Sequence, residues 1–374
     1  MNNAGAALSP RPVQAAILQH LEAEATLGGY EAADGAREAF AATYAAVARL
    51  LNTVPGCIAM AQSSTIAFAQ ALSAFDFAAG DTILTSRADY ASNQIMYLSL
   101  ARRRGVAIAR AGDLAEGGVD PESVRRLVAN HRPALVALTW VPTNSGLVQD
   151  VEAVGAVCRD ADVPYLVDAC QAVGQMPVDV TRIGCDYLAA TARKFLRGPR
   201  GMGFLYVAER AARRGDFPLL VDMQGATWTE ADAFELAGGA RRFETWEMPG
   251  ALVLGLGAAV DYALEVGIET ARERSWSLAE RARERLAALP GARVLDRGRV
   301  RCAIATAAFD GHDGVELKLR LRERGINTSS PARDDAVIDM DAKGAASALR
   351  ISPHYYNTDE EIDRAVDAIA ELTA

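Results

Sequence analysis

The strongest constraint on the fold of this 374-residue chain is a series of short apolar runs separated by helical patterns. Each run is bounded by Gly, Pro, Asp or Asn, or by a charged residue close by, as is typical of strands buried on both faces of a sheet. The runs are Thr82–Thr85, Val106–Ala109, Leu135–Thr139, Tyr165–Val167, Tyr187–Ala190 and Gly203–Val207. Their alternation with helices predicts an α/β fold with a largely parallel sheet.

The pattern changes after about residue 250, which predicts a second, smaller domain. Helices are predicted over residues 14–24, 36–52 and 65–75 in the first part of the chain. The second part is predicted to hold a long helical stretch (Ala251–Leu289), strands (Arg293–Leu295, Cys302–Phe309 and Leu349–Ser352), a helix (Val315–Arg324) followed by a loop, and a last helix after Thr358. Thr358 and Glu361 form a capping box for that helix. We therefore predict a large domain at 14–250 and a small α+β domain at 251–374, which the N-terminal segment 1–13 joins.

Charge and composition exclude several classes of partner. The formal net charge is −9, so nucleic acid is not expected as a principal partner. No apolar run reaches the length of a membrane span, and no secretion signal is expected at the N-terminus. The five cysteines are scattered, and none of the four histidines pairs at metal-ligand spacing. We expect a cytoplasmic enzyme without a metal site or disulfide bonds.

The segment 166–207 indicates the cofactor. Asp168 ends an apolar run, and Lys194 follows further on, just after Thr191-Ala192-Arg193 and before a glycine-rich turn. An acid that keeps a pyridine nitrogen protonated and a lysine that holds an aldehyde as a Schiff base are what pyridoxal phosphate requires. Asp168 would lie at the carboxyl end of a strand, where open α/β sheets bind ligands. The alternative for Asp168 is a helix cap, and for a lone lysine it is the surface.

Other polar groups have matching candidate roles. Gln171 could reach the phenolic oxygen of the cofactor. The hydroxyls of Ser63, Ser64 and Thr65 precede a predicted helix, whose N-terminus would attract a phosphate. Thr191 and Arg193 could add a hydroxyl and a charge to the same site.

Taken together, these motifs resemble the class V aminotransferase family of fold-type I pyridoxal-phosphate enzymes. The family includes cysteine desulfurases, isopenicillin N epimerase-like proteins and C–S lyases. The resemblance rests on Asn2–Gly5, Ser63–Thr65, Tyr90–Asn93, Pro142–Gly146, Asp168–Gln171, Thr191–Lys194, Arg242–Glu244 and Arg350–Ser352. It implies the fold-type I fold for nearly the whole chain.

The resemblance also implies a role for each candidate residue. Lys194 is the Schiff-base lysine and the base at Cα, Asp168 pairs with the ring nitrogen, and Tyr90 stands at the ring-stacking position. Gln171 and either Thr143 or Asn144 lie near the phenolic oxygen, whereas Ser63, Ser64, Thr65, Thr191 and Arg193 bind the phosphate. Arg350 binds the substrate carboxylate by its planar fork, with Asn3, Tyr30 and His354 as further substrate residues. A second subunit completes the site through Arg242–Glu247, which implies a homodimer.

Two departures from the cysteine desulfurases bear on the reaction. The desulfurases carry a cysteine on a mobile loop upstream of the Arg350 position, whereas Asn327–Arg333 contains none. A thiolate is needed to take up sulfur as a persulfide, because a hydroxyl is a far poorer nucleophile near neutral pH. Tyr90 also replaces the usual stacking histidine. Together with Gly28-Gly29-Tyr30, it resembles the ergothioneine-pathway sulfoxide lyases.

The leading prediction is therefore β-elimination from a cysteine-derived amino acid, giving a keto acid and ammonia. The alternatives are an aminotransferase, which needs a keto acid as amino acceptor, and an amino-acid epimerase. A protein of another class, a binding or regulatory protein with a relic site, would keep its function after Lys194→Ala. The residues at the cofactor positions can all perform the chemistry assigned to them, which favours an enzyme.

Overall fold

A seven-stranded sheet organises the structure, which is a computed structural model that describes residues 1–374. Its strands are β1 (Ile58–Ala61), β2 (Thr82–Thr85), β3 (Ala107–Arg110), β4 (Leu135–Thr139), β5 (Tyr165–Asp168), β6 (Tyr187–Thr191) and β7 (Gly203–Val207). Across the sheet their order is β1-β7-β6-β5-β4-β2-β3. Strands β2 to β6 pair in parallel, and only β7 runs against its neighbours β6 and β1. All but the edge strand β3 are buried along their whole length.

Helices cover both faces of this sheet, as an apolar parallel sheet requires. They are α1 (Arg11–Leu27), α2 (Gly29–Gly35), α3 (Arg37–Leu51), α4 (Ser64–Ser73), α5 (Ala91–Arg104), α6 (Pro121–His131), α7 (Val151–Asp160), α8 (Val180–Ile183), α9 (Glu209–Arg214) and α10 (Gly250–Val266). A hairpin of β8 (Ala226–Glu230) and β9 (Ala233–Leu236) stands outside the sheet. The strand residues divide between two hydrophobic cores, one packed against α3, α7 and α10 and the other against α4.

The C-terminal part is a small α+β unit. It contains α11 (Ile268–Ala287), β10 (Ala292–Val294), β11 (Ala305–Phe309), α12 (Gly314–Glu323), α13 (Val337–Lys343), β12 (Leu349–Ile351) and α14 (Asp359–Thr373). Its three strands form an antiparallel sheet in the order β10-β11-β12. Thr358 and Glu361 form the predicted capping box at the start of α14. The N-terminal residues lie against this unit, where Asn2 bridges to Ser352.

Three sequence-based expectations differ from the structure. The predicted long helix is two helices bent by 79° at Gly267, whose φ of 87° is left-handed and ends α10. Val253, Leu256 and Val260 of α10, which were predicted to belong to the small domain, pack in the large core, and so does Ala279 of α11. The domain boundary itself stays a prediction. The segment predicted as a loop after α12 contains α13.

No single helix combines the length and hydropathy needed to cross a membrane, and only the bent pair α10 and α11 reaches them together, by length and composition alone.

Close approach at Gly155 gives a test of this packing. A Cβ on Gly155, in the middle of α7, would lie 1.8 Å from the carbonyl oxygen of Ile183. Helix propensity alone predicts that Gly→Ala stabilises an α-helix by about 1 kcal/mol. We expect Gly155→Ala instead to lower the free energy of unfolding by at least about 2 kcal/mol, because backbone must shift. Chemical denaturation measures this difference.

The matched control is Gly35→Ala at the end of α2, where a Cβ meets nothing within 4 Å. That variant should leave stability unchanged or raise it. Equal stability changes in the two variants would contradict the packing described for α7.

Candidate active site

The carboxyl ends of parallel strands bring the polar residues together. Strands β4, β5 and β6 end at Thr139, Asp168 and Thr191, and neighbouring strands of equal direction end at the same edge. This is the edge at which open α/β sheets bind ligands. Lys194 lies three residues after the end of β6, so the two residues that the sequence singled out lie at the carboxyl ends of adjacent strands.

Asp168 is a buried carboxylate held by two donors. Its Oδ2 accepts from Nδ2 of Asn93 at 2.9 Å, and its Oδ1 accepts from the backbone N–H of Cys170 at 2.9 Å. No lysine, arginine or histidine forms an ion pair with it. The carboxylate is therefore oriented and available to a cation that enters from the site.

Lys194 is buried without a hydrogen bond or an ion pair within the chain. Burial lowers the pKa of its ammonium group, and the nearby Arg193 and Arg350 lower it further against the opposing effect of Cys170 and Asp168. A lowered pKa increases the fraction of free amine, which is the form that condenses with an aldehyde. The chain thus keeps a reactive lysine beside a carboxylate.

Tyr90 lies next to this lysine. The Nζ atom of Lys194 is 5.9 Å from the centre of the Tyr90 ring. The backbone N–H of Tyr90 donates to Oδ1 of Asp89 at 2.7 Å and to Oγ1 of Thr139 at 3.2 Å, which fixes the start of α5. A flat group bound to the lysine would meet the tyrosine ring, in keeping with the stacking position.

The N-terminus of α4 provides a cradle for an anion. Oγ of Ser63 accepts from the N–H of Ile66 at 3.2 Å and so caps the helix, whereas Ser64 is buried and Thr65 is exposed. A Cβ on Gly203 of β7 would lie 2.8 Å from the backbone nitrogen of Ser64, so only glycine leaves this N–H open. The helix dipole adds a partial positive charge at the same place. Ser63 contributes here mainly as the cap.

Thr191 and Arg193 both precede the lysine in the sequence, but their side chains contact different partners. Oγ1 of Thr191 is 3.5 Å from the carbonyl oxygen of Met202. The guanidinium of Arg193 donates to the carbonyl of Gly5. The backbone carbonyl of Arg193 accepts from the backbone N–H of Ala7 at 2.9 Å. These contacts tie the lysine segment to the N-terminal residues, and phosphate binding by Arg193 remains a prediction.

The contacts distinguish Thr143 from Asn144, which the sequence left as alternatives. Oγ1 of Thr143 lies 3.3 Å from Nε2 of Gln171, so both side chains face one place. Nδ2 of Asn144 donates to Oδ2 of Asp339 on α13 at 2.6 Å, while its Oδ1 is buried without a partner. The negative charge of Asp339 fixes this orientation of the amide. The hydroxyl of Thr143 is therefore better placed than the Asn144 amide for a phenolic oxygen. Nε2 of Gln171 also donates to the carbonyl of Ala4 at 3.1 Å, and its role at the phenolic oxygen stays a prediction.

Arg350 is a buried cation without a counter-charge. It donates to the carbonyl and the hydroxyl of Thr143, at 2.7 and 2.9 Å, and to Oδ1 of Asn2 at 3.3 Å. Its Nε has no partner, and no carboxylate lies within ion-pair distance. Burial lowers its pKa to about 10, so it remains charged at neutral pH. A buried guanidinium without a counter-charge is a favourable binding site for a carboxylate.

Two of the predicted substrate residues, Asn3 and His354, use their polar atoms in hydrogen bonds within the protein. Nδ2 of Asn3 donates to the carbonyl of Ser352 at 2.8 Å, and its Oδ1 accepts from the hydroxyl of Tyr356, so Asn2 and not Asn3 contacts Arg350. His354 is buried, with Nε2 2.8 Å from the carbonyl oxygen of Phe195 and Nδ1 accepting a backbone N–H. Both ring nitrogens are used, which leaves none for a substrate.

Tyr30 lies away from Lys194 in this subunit. It is 77% exposed on α2 and lines a cleft of about 1170 Å³ with Phe40, Tyr44 and Trp246. The structure therefore does not bring Tyr30 together with the other candidate residues.

Arg197 clamps the turn that follows the lysine. Its φ of 62° is left-handed, an uncommon conformation for a residue other than glycine. The guanidinium carbon lies 4.4, 5.3 and 5.6 Å from the ring centres of Tyr356, Tyr355 and Tyr262, and Nε donates to the carbonyl of Leu8 at 2.8 Å. Both ends of the chain thus hold the lysine turn in place.

Cys170 is the cysteine that lies at this site. Burial and the charge of Asp168 raise the pKa of its thiol to about 12. A thiol held in its protonated form is a poor nucleophile. The other four cysteines are buried in hydrophobic regions of the protein.

Sequence reasoning missed the layer behind Asp168. Asp89, Asn93 and Thr139 hydrogen-bond to one another, and Asn93 contacts Asp168. Asp89 directly precedes Tyr90 in the sequence, and Asn93 follows three residues after it. An acid directly before the stacking residue was a signal from which this layer could have been found. Asp339 gave no such signal, because its segment was expected to be a loop.

The residues present fit pyridoxal phosphate. Asp168 offers an unpaired buried carboxylate for the ring nitrogen, Lys194 an unbonded amine for the aldehyde, and Thr143 and Gln171 polar groups for the phenolic oxygen. The open N–H of Ser64 and the N-terminus of α4 suit a phosphate. Tyr90 covers the space beside the lysine.

Comparisons with known proteins agree with this arrangement. A family model described as aminotransferase class-V matches residues 1–365. A probable cysteine desulfurase of Methanothermobacter thermautotrophicus is 29% identical over 79% of this chain and 74% of its own length. A probable hercynylcysteine sulfoxide lyase of Mycobacterium tuberculosis is 29% identical over 96% of this chain and 86% of its own. A cysteine desulfurase from Escherichia coli shares the fold, with a TM-score of 0.90 and 24% identity over 100% of this chain and 95% of its own.

The unpaired charge of Arg350 leads to a prediction of opposite effects on stability and on binding. Arg350→Met should leave the apoprotein's melting temperature unchanged or raise it, because an uncompensated buried charge is removed. It should raise KM for an amino acid at least about tenfold, since a charge-assisted hydrogen bond is lost. Calorimetry and steady-state kinetics measure the two effects.

Arg281→Met, on the surface and paired with Asp363, is the control and should leave KM unchanged. A destabilised Arg350→Met with an ordinary KM would show that Arg350 is only structural.

Proposed function

The chain belongs to the class-V aminotransferase family, and from that premise we propose that it is a pyridoxal-phosphate-dependent C–S lyase acting on a cysteine-derived amino acid. The family, the α/β fold and the cofactor predicted from the sequence are confirmed. The lyase prediction agrees with the names of the desulfurases and the sulfoxide lyase among the relatives, which also include an isopenicillin N epimerase.

The observation that carries the proposal is the state of the thiols. A desulfurase needs a thiolate that accepts sulfur, but Asn327–Arg333 has no cysteine, and Cys170 has a pKa near 12. The sulfur of the substrate then has no acceptor on the protein and leaves with its substituent. Elimination, and not persulfide transfer, is the outcome that these residues support.

Each side chain has a defined task in this reaction. The bound cofactor supplies an electron sink for the pair left on Cα. Arg350 binds the α-carboxylate and orients the Cα–H bond, while Asp168 faces the ring nitrogen as a carboxylate. Lys194 would hold the cofactor aldehyde and, as a free amine, would remove the proton from Cα as general base.

The balance of the reaction is simple. The Cα–H and Cβ–S bonds break, the sulfur leaves with its substituent, and one water is consumed as the remaining fragment yields pyruvate and ammonia. Transamination would instead return the proton to the cofactor and require a keto acid. Epimerisation would return it to the opposite face of Cα.

An assay with S-substituted cysteines and a cysteine sulfoxide tests the reaction. We expect keto acid and a sulfur product without any added amino acceptor, and at least about a hundredfold lower rate in Lys194→Ala. Cys170→Ala is the matched control at the same site and should keep its rate within about threefold, because no sulfur passes through this thiol.

Formation of product only after a keto acid is supplied would establish an aminotransferase. A persulfide on Cys170 in mass spectra, or an inactive Cys170→Ala, would refute the elimination scheme.

We also propose that the protein is a homodimer. Trp228 on the β8–β9 hairpin and the nearby Leu220 and Met223 are 79%, 82% and 68% exposed, an unusual number of large apolar side chains for a free surface. Thr245 and Glu247 contact Gln62, which precedes the anion cradle. A second subunit over this face would cover the apolar side chains and complete the site.

The cysteines bear on the compartment in which the protein works. The five unpaired cysteines favour the cytoplasm.

Sedimentation velocity tests the assembly. We expect about twice the 39.7 kDa chain mass for the unmodified protein. Trp228→Glu should shift the population toward monomer and lower lyase activity, because a charge is placed in the covered face. Leu319→Glu, on the exposed side of α12, is the control and should remain a dimer. A fully active monomer would exclude a shared site.

A further inference from the structure

Asp89 is a buried acid to which the proposed reaction assigns no role. It lies between β2 and α5, directly before Tyr90, and is 5% exposed. No lysine, arginine or histidine forms an ion pair with it. A carboxylate that is buried without a counter-charge is costly, so its surroundings must stabilise it.

Five donors surround the carboxylate of Asp89. Oδ2 accepts from Oγ1 of Thr85 at 2.7 Å and from Nε2 of Gln94 at 2.9 Å. Oδ1 accepts from the N–H of Tyr90 at 2.7 Å, from Oγ1 of Thr139 and, more weakly, from Asn93 at 3.5 Å. Three of these donors are N–H groups, which cannot accept a proton in return. Burial raises the pKa of Asp89, and the hydrogen bonds that it accepts offset only part of this effect.

Asn93 connects this acid to the site. Its Nδ2 lies 2.9 Å from Oδ2 of Asp168, 3.3 Å from Oγ1 of Thr139 and 3.5 Å from Oδ1 of Asp89. Because the hydroxyl of Thr139 itself donates to Oδ1 of Asp89, the amide links the two carboxylates both directly and through Thr139. The side chain of Asn93 is buried in α5 and cannot turn away without losing both contacts. The orientation of Asp168 therefore depends on a residue that Asp89 helps to hold.

The remaining polar neighbours are few. Gln94 links Asp89 to Arg110, whose Nη2 donates to Oε1 of Gln94 at 2.8 Å. Burial raises the pKa of the nearby Tyr97 phenol, and the charges of Asp89 and Asp168 raise it further. No cation stands between Asp89 and Asp168.

Building on the proposed function, we propose that Asp89 is a positioning residue that acts through Asn93 to orient Asp168 and to stabilise the protonated ring nitrogen of the cofactor. The negative charges of Asp89 and Asp168 together raise the affinity of the ring nitrogen for its proton more than the charge of Asp168 alone would, because the protein interior screens charge weakly. A more positive ring is a stronger electron sink at Cα.

The test compares two ligands that differ only at the ring nitrogen. Apoprotein is titrated with pyridoxal phosphate and with its analogue in which C–H replaces that nitrogen. In Asp89→Asn, an isosteric change that removes the charge, the Kd for pyridoxal phosphate should rise about tenfold. The Kd for the analogue should stay within about twofold, because its ring cannot carry the proton.

The control is Asp113→Asn, which neutralises an exposed acid that pairs with Arg87 and does not contact Asn93. It should change neither Kd. If Asp89→Asn does not fold, Asn93→Leu keeps the acid and removes the bridge. It should also reduce the preference for pyridoxal phosphate over the analogue.

Equal weakening of both ligands in Asp89→Asn would mean a structural role and overturn the proposal, as would unchanged affinity for both. Its failure is distinct from failure of the proposed function. An unmodified protein that binds pyridoxal phosphate but forms no keto acid would refute the lyase and leave this inference standing.

Discussion

Charges buried without counter-charges are the constraint on which this site depends. Lys194, Arg350 and Asp168 lie inside the protein without an ion pair, although the charge of Asp168 acts on the nearby Lys194. Burying an unpaired charge costs free energy, and hydrogen bonds from the surrounding protein reduce this cost but do not remove it. The missing counter-charges correspond to the parts of an amino acid joined to pyridoxal phosphate. The same features that make the apoprotein less stable than it could be make it selective for its ligands.

The sequence predicted the parts of the fold that local patterns encode. Strands such as Leu135–Thr139 and Gly203–Val207 match the structure residue for residue, because fully buried strands are continuous apolar runs with clear ends. Asp168 and Lys194 were identifiable because each adjoins such a run. The bend at Gly267 was missed because residues that favour helix continue on both sides of it, and one left-handed glycine changes the direction of the chain.

Residues that act through distant contacts were not predictable in this way. Asn2 and Asn3 are adjacent, and only the bridge to Ser352 decides which of them faces Arg350. His354 looked like a pocket residue from its distance to Arg350 along the chain, yet it packs against the backbone of Phe195. The Asp89–Asn93 pair and the Asn144–Asp339 contact join separate elements. No periodicity records such pairs, since they arise when the elements meet.

The clamp at Arg197 has a consequence for the life of the protein in the cell. The turn after Lys194 is held by Leu8 on one side and by Tyr355 and Tyr356 on the other, and Arg350 meets Asn2. On a ribosome the chain emerges from its N-terminus, so the lysine turn cannot take its final shape until Tyr355 and Tyr356 have left the exit tunnel. The clamp that shapes the lysine turn therefore closes late in synthesis, long after Lys194 itself has emerged.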